Sequence, residues 1–254
     1  MSTRIGLIPG IIRKEFPDDR ASMLSAIAKL GFQGVEWGLP KDEADAGEMK
    51  KITESYGLKF VSGGVDKKSL GSDIDSIVRR AVATGCGGVV NFYSPCDSRD
   101  AVLGDAELYN KVGPVCKDAG LKFCYHNHDH EFKNVFDGKR AIDILLENTE
   151  PGSVYLEVDV AWVAYGGEDP VSFIRKHHDR IGIIHLKDIA DINVRAKFTA
   201  IGTGIVDVRG VMKAANEIGL EWAIVEQDGP NRLTPMESVT ASILNLKEWG
   251  IVPA

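Results

Sequence analysis

Four side chains that can bind a metal ion each close a short apolar segment of the chain. Glu131 ends KFCYHNHDHE, Asp159 ends SVYLEVD, His185 ends RIGIIH and Glu226 ends EWAIVE. Short runs rich in Val, Ile and Leu are typical of buried parallel strands, and α/β barrels carry their reactive side chains at the carboxyl ends of such strands. Three carboxylates and one imidazole at one barrel mouth would repel one another unless a cation lay among them. The pattern therefore predicts a metal centre.

The segment YHNHDHEF contains the highest density of side chains with useful chemistry. It holds three of the six histidines, His126, His128 and His130, within five positions. On a strand these three side chains would share one face. Glu131 is the best hard anionic ligand of the segment, while His126 and His128 could bind the metal or a substrate hydroxyl. The alternative is a barrel rim with solvated imidazoles.

Further polar and aromatic side chains at strand ends suit a bound substrate. Lys187 lies two residues after His185, on the same side of its strand, where an ammonium could stabilise developing negative charge. Glu36 closes GVE on the second predicted strand and could contact substrate or be a structural rim charge. Glu157 would need a partner if it were buried in the barrel. Trp162 could form a wall of the pocket, although aromatic residues at such positions often belong to the core.

The elements that must position these residues follow a repeat of helix, glycine and strand. The joints LGFQGVEW, YGLKFVSG, TGCGGVVNF, AGLKFCYH and IGLEWAIVE each place a glycine between an amphipathic segment and a β-rich run. Glycine accepts the left-handed conformation that ends a helix. Eight such units average about 32 residues each, which is the size of a βα unit. We therefore predict an α/β fold, a (β/α)8 TIM barrel, as a single domain over residues 1–254.

The apolar runs also predict the bounds of the elements. The predicted strands are Arg4–Ile8, Gly34–Trp37, Lys59–Ser62, Gly88–Phe92, Lys122–His126, Val154–Asp159, Gly182–Leu186 and Trp222–Glu226, with helices between them. Asp18, Asp100 and Asp207 are candidate helix caps, and Pro235 fits the first turn of the last helix. A dinucleotide-binding sheet is not favoured, because no GxGxxG follows an early strand.

Composition excludes several classes of partner. The formal charge of −7 argues against a nucleic-acid surface, which needs clustered Lys and Arg. The four cysteines, Cys86, Cys96, Cys116 and Cys124, form no CxxC pair and are expected to be reduced core residues. No apolar run approaches the roughly 18 residues of a membrane span, and no signal peptide is evident. We expect a cytoplasmic protein with a small-molecule sugar or polyol substrate and without a membrane partner; a homo-oligomer remains an open alternative.

Several motifs in a fixed order resemble one known superfamily. These motifs are KFCYHNHDHEF, YLEVDVAWVAYGG, RIGIIHLKD, FTAIGTGIVD and WAIVEQD. Over nearly the whole chain they resemble the xylose isomerase-like TIM barrels, the sugar phosphate isomerase/epimerase group. The resemblance implies one divalent metal ion (Mn, Mg, Co or Zn) held by Glu131, Asp159, His185 and Glu226.

Two positions depart from the ketose 3-epimerases of that superfamily. Those relatives carry His three residues after the metal-binding Asp and Arg six residues after the metal-binding His, where this chain has Trp162 and Asp191. Lys187 of HLKD looks more like the inosose dehydratase and keto-sugar lyase branches. Simple ketohexose epimerisation is therefore less well supported than the shared chemistry of the superfamily.

The implied function is that of a metal-dependent sugar isomerase or epimerase, which abstracts a proton next to the metal-bound carbonyl of a keto-sugar or keto-polyol. Glu226 or Glu131 would be the general base, and Lys187 would stabilise the oxyanion. The substrate would contact Glu36, His126, His128, Lys187 and Trp162. The alternative is a lyase or dehydratase of the inosose dehydratase or 3-keto-glycoside type, which shares the first step.

Two further functions are less favoured. An endonuclease IV-like nuclease would need a multinuclear zinc cluster rich in histidine, whereas this chain has six histidines and two of them, His177 and His178, fall in a predicted helix. A non-catalytic sugar-binding barrel would not need four potential metal ligands.

Overall fold

A closed barrel of parallel strands forms the centre of the molecule. The computed structural model describes residues 2–228 and 232–253; Met1, residues 229–231 and Ala254 of the predicted domain lie outside the described residues. Among the described residues eight strands close in chain order, which confirms the predicted barrel. They are β1 Arg4–Leu7, β2 Gly34–Gly38, β3 Lys59–Val65, β4 Gly88–Asn91, β5 Lys122–His126, β6 Val154–Asp159, β7 Ile181–Leu186 and β8 Trp222–Val225.

The barrel closes by pairing its first strand with its last. β1 lies parallel to β8, with Arg4 opposite Trp222 and Leu7 opposite Val225, and β1 also pairs with β2. Gly6 allows this close packing, because a Cβ atom there would lie 2.6 Å from Ile224 Cδ1 and 3.1 Å from the Gly34 carbonyl oxygen. Closure brings the carboxyl ends of all eight strands to one mouth.

Helices surround the barrel and connect its strands. They are α1 Arg20–Leu30, α2 Glu43–Ser55, α3 Lys67–Ser72, α4 Ile74–Thr84, α5 Arg99–Asp118, α6 His130–Lys133, α7 Ala141–Asn148, α8 Val160–Tyr165, α9 Pro170–Lys176, α10 Val208–Glu217 and α11 Pro235–Glu248. Short 3-10 helices span Pro9–Glu15 and His178–Arg180. Several strands are followed by two helices rather than one; α6 and α8 are the short first members after β5 and β6. Within the described ranges, none of the helices combines the length and apolar character needed to span a membrane.

Two of the predicted helix caps are wrong by one or two residues. Asp19 rather than Asp18 caps α1, and Ser98 rather than Asp100 caps α5 by accepting a hydrogen bond from the Ala101 amide. In both cases the predicted residue lies within two positions of the cap, where sequence spacing alone does not resolve the register. The structure confirms Asp207 as the cap of α10 and Pro235 as the first residue of α11.

The barrel interior changes from apolar to polar along the strands. Val61, Val90, Cys124, Ile183 and Ile224 form a small buried cluster with Trp222, separate from the main core between strands and helices. Successive side chains of a strand point to opposite faces, so residues two positions later face the interior again. Two positions after Cys124, Ile183 and Ile224 the chain has His126, His185 and Glu226. The mouth of the barrel is therefore lined with polar and charged side chains.

All four cysteines are free and buried, as the sequence indicated. Burial raises the pKa of Cys96 and of Cys116 to about 12, and it also raises the pKa values of Cys86 and Cys124. Because the thiolate is the reactive form, we expect the native protein at about pH 8 to react with less than about one equivalent of Ellman's reagent within minutes. The denatured chain should release four equivalents. Rapid native labelling would contradict this packing.

Candidate functional site

Four buried or nearly buried side chains place metal-binding atoms in one small volume at the barrel mouth. They are His126, Asp159, His185 and Glu226, and one nitrogen or oxygen atom of each lies within 4.8 Å of those of the others. We call these residues the four-donor group. His126 and Asp159 end β5 and β6, His185 is near the end of β7, and Glu226 directly follows β8. Because β5 to β8 are adjacent in the barrel, their carboxyl ends meet here.

His185 lies at the centre of a network of carboxylates. Its Nδ1 donates to Glu226 Oε2 at 2.7 Å, and its Nε2 lies 2.9 Å from Glu36 Oε1 and 3.2 Å from Glu157 Oε2. Burial opposes a charged imidazole, but Glu157, Glu36 and Glu226 outweigh that effect and raise the pKa of His185 well above its usual value. His126 Nδ1 donates to Glu157 Oε2 at 3.0 Å. The two imidazoles therefore share the Glu157 carboxylate.

Glu36 completes this network from the second strand. Ser62 donates a short hydrogen bond to Glu36 Oε2, while Glu36 Oε1 faces His185. Burial, together with the negative charge of Glu157, raises the pKa of Glu36 to about 7. The predicted place of Glu36 at the mouth is thus what the structure shows, and its carboxylate lies beside a member of the four-donor group.

Lys187 is fully buried among carboxylates. Its Nζ lies 2.7 Å from Asp159 Oδ2, 2.9 Å from Glu226 Oε2 and 2.7 Å from Asp228 Oδ2. Burial disfavours the ammonium, but Asp159, Glu226 and Asp228 outweigh that effect and raise the pKa of Lys187. Asp228 was not among the predicted site residues. Its signal is its spacing, since it lies two positions after Glu226 as Lys187 lies two positions after His185.

The donor set and the charge of the mouth both fit a divalent cation. The mouth gathers the carboxylates of Glu36, Glu157, Asp159, Glu226 and Asp228 around the His185 imidazole and the Lys187 ammonium. Within the described part of the chain, the buried Glu157 Oε1 has no hydrogen-bond partner. Two imidazole nitrogens and two carboxylate oxygens form a site of borderline hardness. Binding an ion would require neutral imidazoles, so the ion would replace protons as the counter-charge.

The structure does not bring Glu131 into this group, contrary to our expectation. β5 ends at His126, where that residue pairs with Glu157 of β6, and Glu131 lies in the short helix α6. Its carboxylate accepts hydrogen bonds from the Tyr125 hydroxyl and, at 2.9 Å, from the His128 amide. The fifth strand thus contributes His126 instead. The same early strand end means that His126, His128 and His130 do not continue along one strand face.

This position predicts a structural role for Glu131, which Glu131→Gln should reveal. Gln replaces one of the two carboxylate oxygens with an NH2 group, which cannot accept a hydrogen bond from the His128 amide. The free energy of unfolding should therefore fall by about 1–3 kcal/mol. The affinity for Mn²⁺ should change by less than about threefold, because Glu131 does not belong to the four-donor group. Thermal unfolding and calorimetric titration measure the two effects, with Glu147→Gln at an exposed ion pair as the control. A loss of metal binding would return Glu131 to the ligand set.

His128 and Trp162 form an aromatic wall beside the four-donor group. The rings of His126 and His128 have centroids 5.0 Å apart, and those of His128 and Trp162 are 5.8 Å apart. His128 Nδ1 and Trp162 Nε1 are buried and, among the described residues, have no hydrogen-bond partner. Burial lowers the pKa of His128 to about 3, so this imidazole is neutral. Two uncommitted polar atoms are therefore available at this wall.

One buried carboxylate accepts four hydrogen bonds from the segment after β7, which also contains a short antiparallel pair, Asp188–Ile189 with Phe198–Thr199. Asp188 accepts hydrogen bonds from the amides of Ile189, Gly202, Gly204 and Val206, all at 2.9 to 3.1 Å. The loop carries Arg195, which pairs with Asp129 and lies over the ring of Trp162. The residue that directly follows Lys187 thus fixes the loop above the aromatic wall.

A cavity of about 750 Å³ opens beside the four-donor group. Glu226 and Asp228 line it, and so do Ile8, which directly follows β1, and Ile11 and Lys14 of the 3-10 helix Pro9–Glu15. Of the four-donor group, Glu226 is the member that reaches this space, with a side chain that is 14% exposed. A small polar ligand in the cavity would meet that carboxylate first.

Comparison with known proteins identifies the family. Residues 24–249 match the family model described as a xylose isomerase-like TIM barrel. The chain belongs to this family. Among solved structures, the chain is similar to a sugar phosphate isomerase/epimerase from Parabacteroides distasonis, with a TM-score of 0.84 and 24% sequence identity over 99% of this chain and 96% of that chain. That likeness concerns the fold.

Curated proteins that are similar in sequence to this chain include inosose dehydratases. An inosose dehydratase from Clostridium beijerinckii is 31% identical over 160 residues, or 56% of this chain and 53% of the relative. In that match the chain therefore spans about half the length of the relative. An inosose dehydratase from Geobacillus kaustophilus is 25% identical over 247 residues, or 81% of this chain and 79% of the relative.

Proposed function

We propose that this chain is a divalent-metal-dependent enzyme that removes a proton from the carbon next to the carbonyl group of a keto-polyol or keto-sugar. The observation that carries the proposal is the four-donor group, in which His126, Asp159, His185 and Glu226 place their donor atoms within 4.8 Å of one another. Manganese, cobalt and zinc suit such a set of nitrogen and oxygen ligands better than magnesium. When bound there, the ion would supply Lewis acidity toward a carbonyl oxygen.

The side chains of the mouth supply the proton transfer. Glu226 lines the cavity and would accept the proton from the substrate carbon. Lys187, whose ammonium touches the Glu226 carboxylate, would stabilise the negative charge that develops on the substrate oxygen. His128 Nδ1 and Trp162 Nε1 would orient substrate hydroxyls, because both atoms are buried without a partner in the described part of the chain. Glu36, which contacts His185, would hold that imidazole in position.

The outcome that we favour after this first step is loss of water. The curated relatives are named inosose dehydratases, and an inosose is a keto-inositol. In a dehydration, the proton on the carbon next to the carbonyl passes to Glu226. The carbon–oxygen bond of the hydroxyl on the following carbon then breaks, and Glu226 returns the proton to that hydroxyl, which leaves as water. Isomerisation or epimerisation, the main prediction from the sequence, would instead return the proton to carbon. The excess of carboxylates at the mouth favours an uncharged polyol over a sugar phosphate.

Proton exchange in heavy water tests the proposal. The Mn²⁺-loaded protein is incubated with a keto-inositol and, separately, with a 3-keto-glucoside, and NMR follows the hydrogen next to the carbonyl. We expect that hydrogen to exchange and a product that has lost water to accumulate with the keto-inositol. An epimer or isomer without loss of water would assign the chain to the isomerase chemistry. Absence of exchange with all substrates, together with a protein that binds no divalent ion, would overturn the proposal.

A further inference from the structure

The ammonium of Lys187 already occupies the carboxylates that a metal ion would use. Its Nζ lies 2.7 Å from Asp159 Oδ2 and 2.9 Å from Glu226 Oε2, and both residues belong to the four-donor group. Its third partner, Asp228 Oδ2 at 2.7 Å, lies outside that group. A single charged side chain thus links two proposed metal ligands to one carboxylate that is not a ligand.

The ammonium of Lys187 is shielded from bulk solvent. The side chain is 0% exposed, and its Nζ lies 5.5 Å from the ring centre of Trp162 and 5.2 Å from that of Phe198. Buried lysines need charged partners, and in such surroundings two nearby positive charges repel strongly. A divalent ion held by Asp159 and Glu226 would therefore weaken the hold of these two carboxylates on the ammonium.

Asp228 is the partner that can keep the ammonium when an ion is present. Its side chain is 51% exposed and lines the cavity together with Glu226. An ammonium drawn toward Asp228 moves away from the four-donor group and toward the space in which a substrate would lie. The three carboxylates around Lys187 thus differ in position, since Asp159 and Glu226 belong to the four-donor group whereas Asp228 lies outside it on the cavity wall.

We propose that Lys187 competes with the divalent ion for Asp159 and Glu226, and that Asp228 holds the ammonium once the ion is bound. This inference rests on the metal site of the proposed function. It makes the affinity for the ion lower than the four donors alone would give. It also couples ion binding to the delivery of a positive charge to the substrate side of the mouth. Lys187 and Asp228 act on the ion through the ligand carboxylates, and in this respect they are positioning residues.

Calorimetric titration of the metal-free protein with Mn²⁺ tests the competition. We expect Lys187→Met to bind Mn²⁺ at least about tenfold more tightly than the original chain, because the competing charge is removed. A purely structural lysine predicts the opposite, since its removal would let the ligands rearrange and bind more weakly. Lys14→Met is the matched control, because this exposed lysine lines the same cavity and should change the affinity by less than about twofold. Unchanged or weaker binding by Lys187→Met overturns the inference.

The role of Asp228 is tested by a double-mutant cycle. Asp228→Asn should weaken Mn²⁺ binding about fivefold, because Lys187 loses its alternative partner and holds Asp159 and Glu226 more firmly. In a Lys187→Met background, the same change should alter the affinity by less than about twofold. A net-charge effect predicts additive changes in the two backgrounds, and that result would overturn the role of Asp228.

A second measurement covers the case in which Lys187→Met folds poorly without metal. Lys187→Gln keeps a polar side chain of similar reach, and its melting temperature should rise more on addition of Mn²⁺ than that of the original chain, since a tighter ligand stabilises more. An equal or smaller rise contradicts the competition. If the original chain binds no divalent ion, the proposed function fails together with this inference; if it binds the ion and the variants do not differ, this inference alone fails.

Discussion

Replacing Asp159 by Asn is expected to lower the affinity for Mn²⁺ at least about 100-fold and kcat/KM about 1,000-fold. Asp159 is fully buried, its Oδ2 belongs to the charged centre of the mouth, and its Oδ1 accepts from the amides of Ala161 and Trp162. Asn can keep the second interaction through its own oxygen, so the start of α8 should persist. The change therefore removes the charged ligand while leaving the local backbone in place.

Metal analysis after gel filtration and calorimetric titration measure this effect. Asp143→Asn is the matched control, because it makes the same chemical change at a carboxylate that pairs with Arg140. The control should retain the metal content and turnover of the original chain. Full metal occupancy in Asp159→Asn would show that the ion is held by other residues.

Replacing Asp188 by Ala is expected to have the largest effect on the loop at the mouth. Four backbone amides, those of Ile189, Gly202, Gly204 and Val206, would lose their acceptor. Buried donors without partners are costly, and we expect local opening of the loop to become easier by about 3–5 kcal/mol. Because Lys187 directly precedes this anchor, kcat/KM should fall as well.

Hydrogen exchange of residues 188–206 and limited proteolysis measure the opening of this loop. Asp207→Asn is the matched control at the end of the same loop, where the carboxylate caps α10 by accepting from the Gly210 amide. A cap of this kind contributes about 1 kcal/mol, so the control should change exchange much less. Equal protection of the loop in Asp188→Ala and in the original chain would show that its amides have other acceptors.

The barrel was predictable from the sequence because each of its strands is a local pattern. β5 and β6 have the predicted bounds, Lys122–His126 and Val154–Asp159, since each is a mostly apolar run that ends in a polar residue, although Glu157 interrupts the run of β6. β3 is longer than predicted, Lys59–Val65 against Lys59–Ser62, because the run continues through Gly63 and Gly64, which carry no strand signal of their own.

The four-donor group was predictable only in part, because the end of β5 is decided by its neighbours. Asp159, His185 and Glu226 meet as expected, each at the end of an apolar run. After His126, however, the chain has no apolar run that marks whether the strand continues, and the pairing of Tyr125 with Asn91 and of His126 with Glu157 ends it. Such pairing is a property of the whole barrel, and the segment around Glu131 does not encode it alone.

The pairing of the first strand with the last has a consequence for biosynthesis. A nascent chain that has emerged only as far as β7 has His126, Asp159 and His185. It lacks both Glu226 and β8, the strand that closes the barrel by pairing with β1. Its half-built sheet leaves those side chains open to water, and a ligand set of this kind releases an ion readily. Under the proposed function, the ribosome must therefore have synthesised β8 before the four-donor group can capture a cation, and metal loading would belong to the last stage of maturation.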